Sequence, residues 1–237
     1  MTSVLVVLAT DGEPLGLLEP PLREAGIALE RWYPMTEPPP DSIDGYAGVI
    51  ALGGEPNPDQ DARHPWLQAE RELLAAAAAA GLPVLGVCLG AELLAQATGG
   101  RSDPLERTAV GWVEVQTSAA AEDDPLLGAV PPRFITLEWH EFGFTPPPDA
   151  VLLASSSSGP QAFRWGERAW GLQFHPEADG AIVAGWAQGA GRKLRAVGVE
   201  PQSLVREAAA WTVPQRDLAR CLGRAFAGVV RLSRSAG

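Results

Sequence analysis

Cysteine is nearly absent: Cys88 and Cys221 are the only two in 237 residues. Two thiols cannot form a disulfide framework, and such usage fits a reducing compartment, so a cytoplasmic location is expected. Histidine is as scarce. His64, His140 and His175 lie far apart, with no Cys-x-x-Cys or His-x-x-x-His spacing. That pattern predicts no metal centre, and nothing else calls for a cofactor. Basic charge is also short: the net charge of −11 argues against a nucleic-acid partner. No apolar run is long enough to span a bilayer. The longest, residues 73–87, is alanine-rich and broken by Gly81 and Pro83, which excludes a membrane-spanning role. Met1 to Leu8 lacks a basic leader and a small-residue cleavage site, so it reads as a first strand rather than a signal peptide. No internal repeat is visible.

What is present is an alternation of apolar runs and helical patterns. Ser3 to Ala9 is continuously apolar up to Asp11-Gly12, as in a strand buried on both faces. Pro14 to Ala25 suggests a helix that Pro20 and Pro21 must break or restart. Short strands are expected at Ile27–Trp32 and Ala47–Leu52. Pro65–Ala80 is the clearest helix, opened by proline and closed by Gly81. A strand, a turn at Cys88 and a second helix follow, ending at Gly99-Gly100. This order predicts an α/β fold: an open, mostly parallel mixed sheet flanked by helices. Short strands at Val110–Val115, Arg133–Glu138, Val151–Ser155, Gln161–Trp165 and Ala169–Phe174 then suggest a small antiparallel extension. Helices are expected at Ile182–Val197, Pro201–Trp211 and Pro214–Leu232, the last with a stripe of Leu218, Leu222, Phe226 and Val230. Cys221 is expected in that helix's core.

The chemistry centres on residues 82–95. Gly86-Val87-Cys88-Leu89-Gly90 ends an apolar strand and leads into the helix former Ala91-Glu92-Leu93-Leu94. A cysteine at such a turn is either a buried structural thiol or a nucleophile. The position suits a nucleophile: the helix N-terminus favours thiolate, and the following peptide N–H is free to bind an oxyanion. A base and a group to orient it are then required. His175 and Glu177 are the candidates, in Gln173-Phe174-His175-Pro176-Glu177 just past a strand end. Gly53-Gly54, after another buried strand, would let a substrate carbonyl approach the backbone. Open α/β sheets gather their sites at strand carboxyl ends, where all three features fall.

Taken together, these motifs resemble the class I (triad) glutamine amidotransferases. The likeness covers about residues 1–195. The run from Trp139-His140 through Gln161-Ala162-Phe163-Arg164 to His175 is similar to stand-alone homologues of the amidotransferase domain of GMP synthase. The resemblance implies a flavodoxin-like fold over residues 1–195, with residues 196–237 a C-terminal helical extension packed on the same domain. It implies Cys88 as nucleophile, His175 and Glu177 as its partners, and the N–H groups of Gly54 and Leu89 as oxyanion donors. Gly53, Glu92, His140 and Phe142 are the implied substrate-binding positions. The implied reaction is hydrolysis of a small amide, glutamine or another γ-glutamyl compound, through a thioester. The ammonia would go to a separate synthase subunit. Two positions depart from the family pattern. Glu92 stands where a glutamine is usual, and Glu141 follows His140 where a glycine is usual. These departures keep two alternatives open: a hydrolase of a different γ-glutamyl amide, and a catalytically silent regulatory homologue.

Overall fold

A computed structural model of the chain describes residues 2–10 and 14–235; the expected turn at Asp11-Gly12 lies outside the described residues. The described chain forms one sheet of nine strands. They are β1 (Ser3–Val7), β2 (Ala28–Trp32), β3 (Val49–Ala51), β4 (Val84–Val87), β5 (Arg101–Thr117), β6 (Arg133–Thr145), β7 (Val151–Ser156), β8 (Gly159–Trp165) and β9 (Ala169–Leu172). Their order across the sheet is β2-β1-β3-β4-β9-β8-β7-β5-β6. The first five run parallel, and from β9 onward every pairing is antiparallel. The α/β reading therefore holds.

Within the parallel half β1, β3, β4 and β9 are buried on both faces, which explains their unbroken apolar runs, and the edge strand β2 is partly exposed. Alternation along β1 sends Val4 and Val6 to one face and Leu5 and Val7 to the other. Six helices cover the sheet: α1 (Glu19–Glu24), α2 (Trp66–Ala79), α3 (Leu89–Ala97), α4 (Gly180–Gly189), α5 (Gly191–Ala196) and α6 (Pro201–Ser235). Leu67, Leu73 and Leu74 of α2 and Leu93 and Leu94 of α3 pack with Leu5 and Val7. Leu22 of α1 and the Leu218, Leu222, Phe226 and Val230 stripe of α6 pack with Val4 and Val6.

Of the two outcomes expected at Pro20 and Pro21 the helix restarts there, because both stand in the first turn of α1, which needs no N–H. Four other sequence expectations change. The segments 201–211 and 214–232 form one helix running through Pro214. Pro214 and Ala210 both lie on the exposed face, so the carbonyl that loses its N–H partner can turn to water. The strands at 110–115 and 133–138 are parts of the long β5–β6 ribbon. A register shift between Pro104 and Ala109 absorbs the charged stretch that hides this strand in the sequence. The 182–197 helix is also divided, at Ala190, into α4 and α5. Cys221 is half-buried beside the α6 stripe rather than within it.

Among the described residues, no helix is long and apolar enough to cross a membrane, and no group of three or more His, Cys, Asp or Glu side chains could hold a metal. Because Phe226 is fully buried between α6 and the sheet, Phe226→Ala should lower unfolding free energy by about 3–5 kcal/mol, read as a shifted denaturant midpoint at unchanged slope.

Candidate active site

Cys88 stands between β4 and α3 with φ 51° and ψ −112°. Among the described residues it is the single non-glycine with positive φ. Such strain persists only where the surroundings impose it. Here two close backbone approaches do so. A Cβ on Gly90 would sit 2.2 Å from the carbonyl oxygen of Ala51, and one on Gly86 would sit 2.5 Å from that of Gly90. The glycines thus let α3 press its first turn onto β3 and β4. The Cys88 N–H donates to the Leu172 carbonyl at 2.8 Å, tying the turn to β9.

β9 delivers the second element. Just past its end, His175 is buried, and its Nδ1 lies 2.6 Å from Glu177 Oε1. Its Nε2 lies 3.4 Å from the Trp139 carbonyl oxygen, and the Cys88 thiol lies 3.8 Å from the same oxygen. The thiol and the imidazole thus meet at one oxygen and beside Gly53, and each acts on the other's charge. Both ring nitrogens therefore face acceptors, which suits an imidazolium. Burial alone would push His175 down, but Glu177 and the thiol outweigh it and hold the ring well above the ordinary imidazole value. Burial pushes the Cys88 thiol up, and His175 pulls it back. The two groups titrate as one coupled pair.

Cys88, Leu89, Gly54, Glu92, His140, Phe142 and His175 line a single cavity of about 260 Å³. Gly53 lies at its back, where a Cβ would come 3.3 Å from His175 Cε1 and 3.5 Å from Cys88 Cβ. Glu177 is buried behind His175. The structure thus brings all nine sequence-predicted residues together. The N–H of Leu89, first in α3, has no intrahelical partner.

The two departures differ in setting. Glu92 is buried and accepts from Gln173 Nε2 at 2.9 Å. Burial pushes its carboxyl up, against the opposing effects of Gln173, His140 and His175. Glu141 lines the cavity from its exposed side. His140 is fixed by an Nδ1–H donated to the Phe142 carbonyl at 2.6 Å. Beneath it, Glu138 accepts from Ser156 at 2.5 Å and Ser158 at 2.7 Å. Burial would raise Glu138, but its contacts with His140, Ser156 and Ser158 leave it below the usual carboxylate value.

Sequence reasoning missed four contributors. Trp139 supplies the carbonyl that both Cys88 and His175 face. Trp186 of α4 sets its ring edge-on to His175, with centroids 5.0 Å apart. Lys193 of α5, the chain's single lysine, lines the cavity. Gln215 of α6 donates Nε2–H to the His175 carbonyl at 2.6 Å. Only the last two left a trace in the sequence: a unique residue type, and a polar side chain at Gln215 three residues before Leu218 and in line with the apolar stripe.

The family described as glutamine amidotransferase class-I matches residues 18–181. The chain belongs to that family. A class I glutamine amidotransferase is thus carried on a chain whose matched region ends just inside α4. Among its relatives, the glutamine-hydrolysing GMP synthase of Thermomicrobium roseum is 40% identical over 100 residues, covering 41% of this chain and 18% of that protein. The chain therefore spans about a fifth of that relative's length. A second relative is a single subunit of the glutamine-hydrolysing GMP synthase of Haloarcula marismortui. It is 31% identical over 175 residues, covering 72% of this chain and 84% of its own length. The fold is shared with a glutamine amidotransferase from Thermotoga maritima, at a TM-score of 0.86 and 24% identity over 95% of this chain and 98% of that one.

Proposed function

We propose that this amidotransferase hydrolyses the side-chain amide of glutamine through a thioester on Cys88 and passes the ammonia to a separate synthase protein. The observation that carries this reading is the chain of contacts Cys88–His175–Glu177 at a strained elbow. In the active form the thiolate of Cys88 and the imidazolium of His175 exist together. The sulfur attacks the amide carbon, and the carbonyl π electrons move onto oxygen. The N–H groups of Leu89 and Gly54 receive that oxyanion, each worth about 2.7–4 kcal/mol of barrier in comparable sites. His175 gives its Nε2 proton to the departing nitrogen, the C–N bond breaks, and ammonia leaves a γ-glutamyl thioester. Neutral His175 then takes a proton from water, hydroxide attacks the thioester, and glutamate and thiolate are released. The partner is suggested by the relatives that are single subunits of GMP synthase, since such a name marks one part of an assembly.

The departures from the family pattern are compatible with glutamine. A buried Glu92 whose carboxyl is pushed up matches an amide in size and carries an O–H donor when protonated. Lys193 supplies the one lysine ammonium in the cavity wall, with no ion pair of its own among the described residues. Glu141 stands in the same wall. Lys193 for a carboxylate and Glu141 for an ammonium together suit the zwitterionic head of an amino acid.

Incubation with a glutamine-like chloroketone or diazoketone should add one inhibitor mass to Cys88 and shield Lys193 from an amine-reactive acylating reagent. An unmodified Cys88 that still reacts with iodoacetamide would exclude glutamine and favour another γ-glutamyl amide. A Cys88 inert to both reagents would favour a silent regulatory role.

The pH profile should carry the mark of Glu177. Its carboxylate holds His175 high, so the alkaline limb of kcat/KM, where the imidazolium is lost, should lie above the ordinary imidazole range. Glu177→Gln keeps a hydrogen-bond acceptor but removes the charge. It should move that limb to lower pH and cut kcat by about 10²–10⁴-fold. An unmoved limb would show that Glu177 does not act through His175.

A further inference from the structure

The segment that carries His175 and Glu177 has few backbone handles. It lies beyond the end of β9 and belongs to no strand or helix. The His175 N–H donates to the Leu137 carbonyl at 2.9 Å, which fixes one side of the residue to β6. The Leu17 N–H donates to the Glu177 carbonyl at 2.9 Å, where a Cβ on Gly16 would press to 2.2 Å from that oxygen. Between these anchors lies the peptide joining His175 to Pro176. Proline has no N–H, so the His175 carbonyl is the only polar group by which that peptide plane can be held. The Ala178 N–H reaches it only at 3.4 Å. Gln215 Nε2 reaches it at 2.6 Å.

Gln215 is out of place for any other purpose. It sits in α6 in line with Leu218, Leu222, Phe226 and Val230, and it is as buried as they are. An amide in such a position must be desolvated, and its Oε1 has no hydrogen-bond partner. The orientation of the amide is unambiguous, because the His175 carbonyl can only accept. One donor is thus kept in an apolar seam, against the cost of its own unpaired oxygen, to reach the residue next to the reacting thiol.

We propose that Gln215 is a positioning residue for the His175–Glu177 pair, so that α6, beyond the residues 18–181 matched by the family, is part of the active apparatus. Holding the 175–176 peptide plane fixes the angle at which Glu177 meets Nδ1 at 2.6 Å. That contact in turn keeps His175 charged and aimed at Cys88. The proposal rests on the reading of Cys88, His175 and Glu177 given above.

Gln215→Met tests it, since methionine fills similar volume in an apolar seam but donates nothing. With glutamine as substrate, kcat should fall about 10–100-fold with KM little changed. The melting temperature should change little, because the unpaired Oε1 is removed while the His175 carbonyl loses its short donor. A second readout needs no substrate: the rate of iodoacetamide alkylation at Cys88, located by mass, followed against pH. A weakened imidazolium stabilises thiolate less, so the alkylation midpoint in Gln215→Met should move to higher pH. If the variant does not fold, Gln215→Leu serves instead. It likewise donates nothing to the His175 carbonyl and should give the same loss and the same shift.

A folded variant with wild-type kcat and an unmoved midpoint overturns the proposal. So does a variant whose loss of activity only follows a lowered melting temperature. A wild-type protein inert towards glutamine would instead sink the functional reading, while the alkylation midpoints would still decide whether Gln215 acts on the pair.

Discussion

The contact on which the rest of this molecule depends is between two backbones. The first turn of α3 lies so close to the end of β3 that no side chain fits at Gly90, and β4 lies so close to α3 that none fits at Gly86. This approach forces the intervening residue into φ 51°, a conformation that a cysteine does not adopt unaided. It also starts α3 directly after the thiol, with the first N–H of the helix left without an intrahelical partner. A looser helix would relax Cys88 and scatter both groups. The apolar seams above and below the sheet are what hold α3 down, with Leu93 and Leu94 fully buried among the side chains of α2 and the parallel strands. On the proposed reading, the core of the protein supplies the strain that its active thiol requires.

The two halves of the sheet have separate tasks. The parallel half presents Cys88 and the glycine loop at its carboxyl edge, as open α/β sheets do. The antiparallel half brings in what the thiol faces. β6 runs past the expected end of its strand to Thr145 and carries Trp139, His140 and Phe142 across the top of α3. Without that extension neither the Trp139 carbonyl nor His140 would reach the cavity. The α4–α5 pair closes the remaining side with Trp186 and Lys193.

The sequence made most of the parallel half legible because β1, β3, β4 and β9 are buried twice and read as uninterrupted apolar runs, whereas the edge strand β2 exposes Glu30 and Arg31. Gly86, Cys88 and Gly90 were legible for the same local reason: turn, strand and helix propensities meet within five residues. His175, Glu177, Gly53 and Gly54 could be proposed because each follows a strand. The β5–β6 ribbon was not legible in full. Its strands face solvent along much of their length, and the charged, proline-containing stretch from Arg101 to Arg107 has no apolar alternation to detect. Pro214 misled for a related reason, since a proline on the exposed face of a helix costs one hydrogen bond that water can replace. Gln215 and Lys193 reach the site from α6 and α5, far along the chain, and no local pattern encodes a contact of that kind.

On the proposed reading, charge around the thiol bears on how Glu92 can stand where the resemblance implies an amide. Three carboxylates, Glu92, Glu138 and Glu177, are buried within the space occupied by two histidines. All three cannot be ionised cheaply in so little room. Glu177 has the His175 ring at 2.6 Å to balance it. Glu138 accepts from two serine hydroxyls and faces His140 at 3.7 Å. Glu92 has one hydrogen bond, from the neutral amide of Gln173, and the two histidines act on it only from a distance. It is the least compensated of the three, and its carboxyl is the one that burial pushes up. A proton held there removes a negative charge that would oppose the Cys88 thiolate, and it restores a donor where the family carries an amide. On this view the substitution is tolerated because its neighbours have already taken the available positive charge.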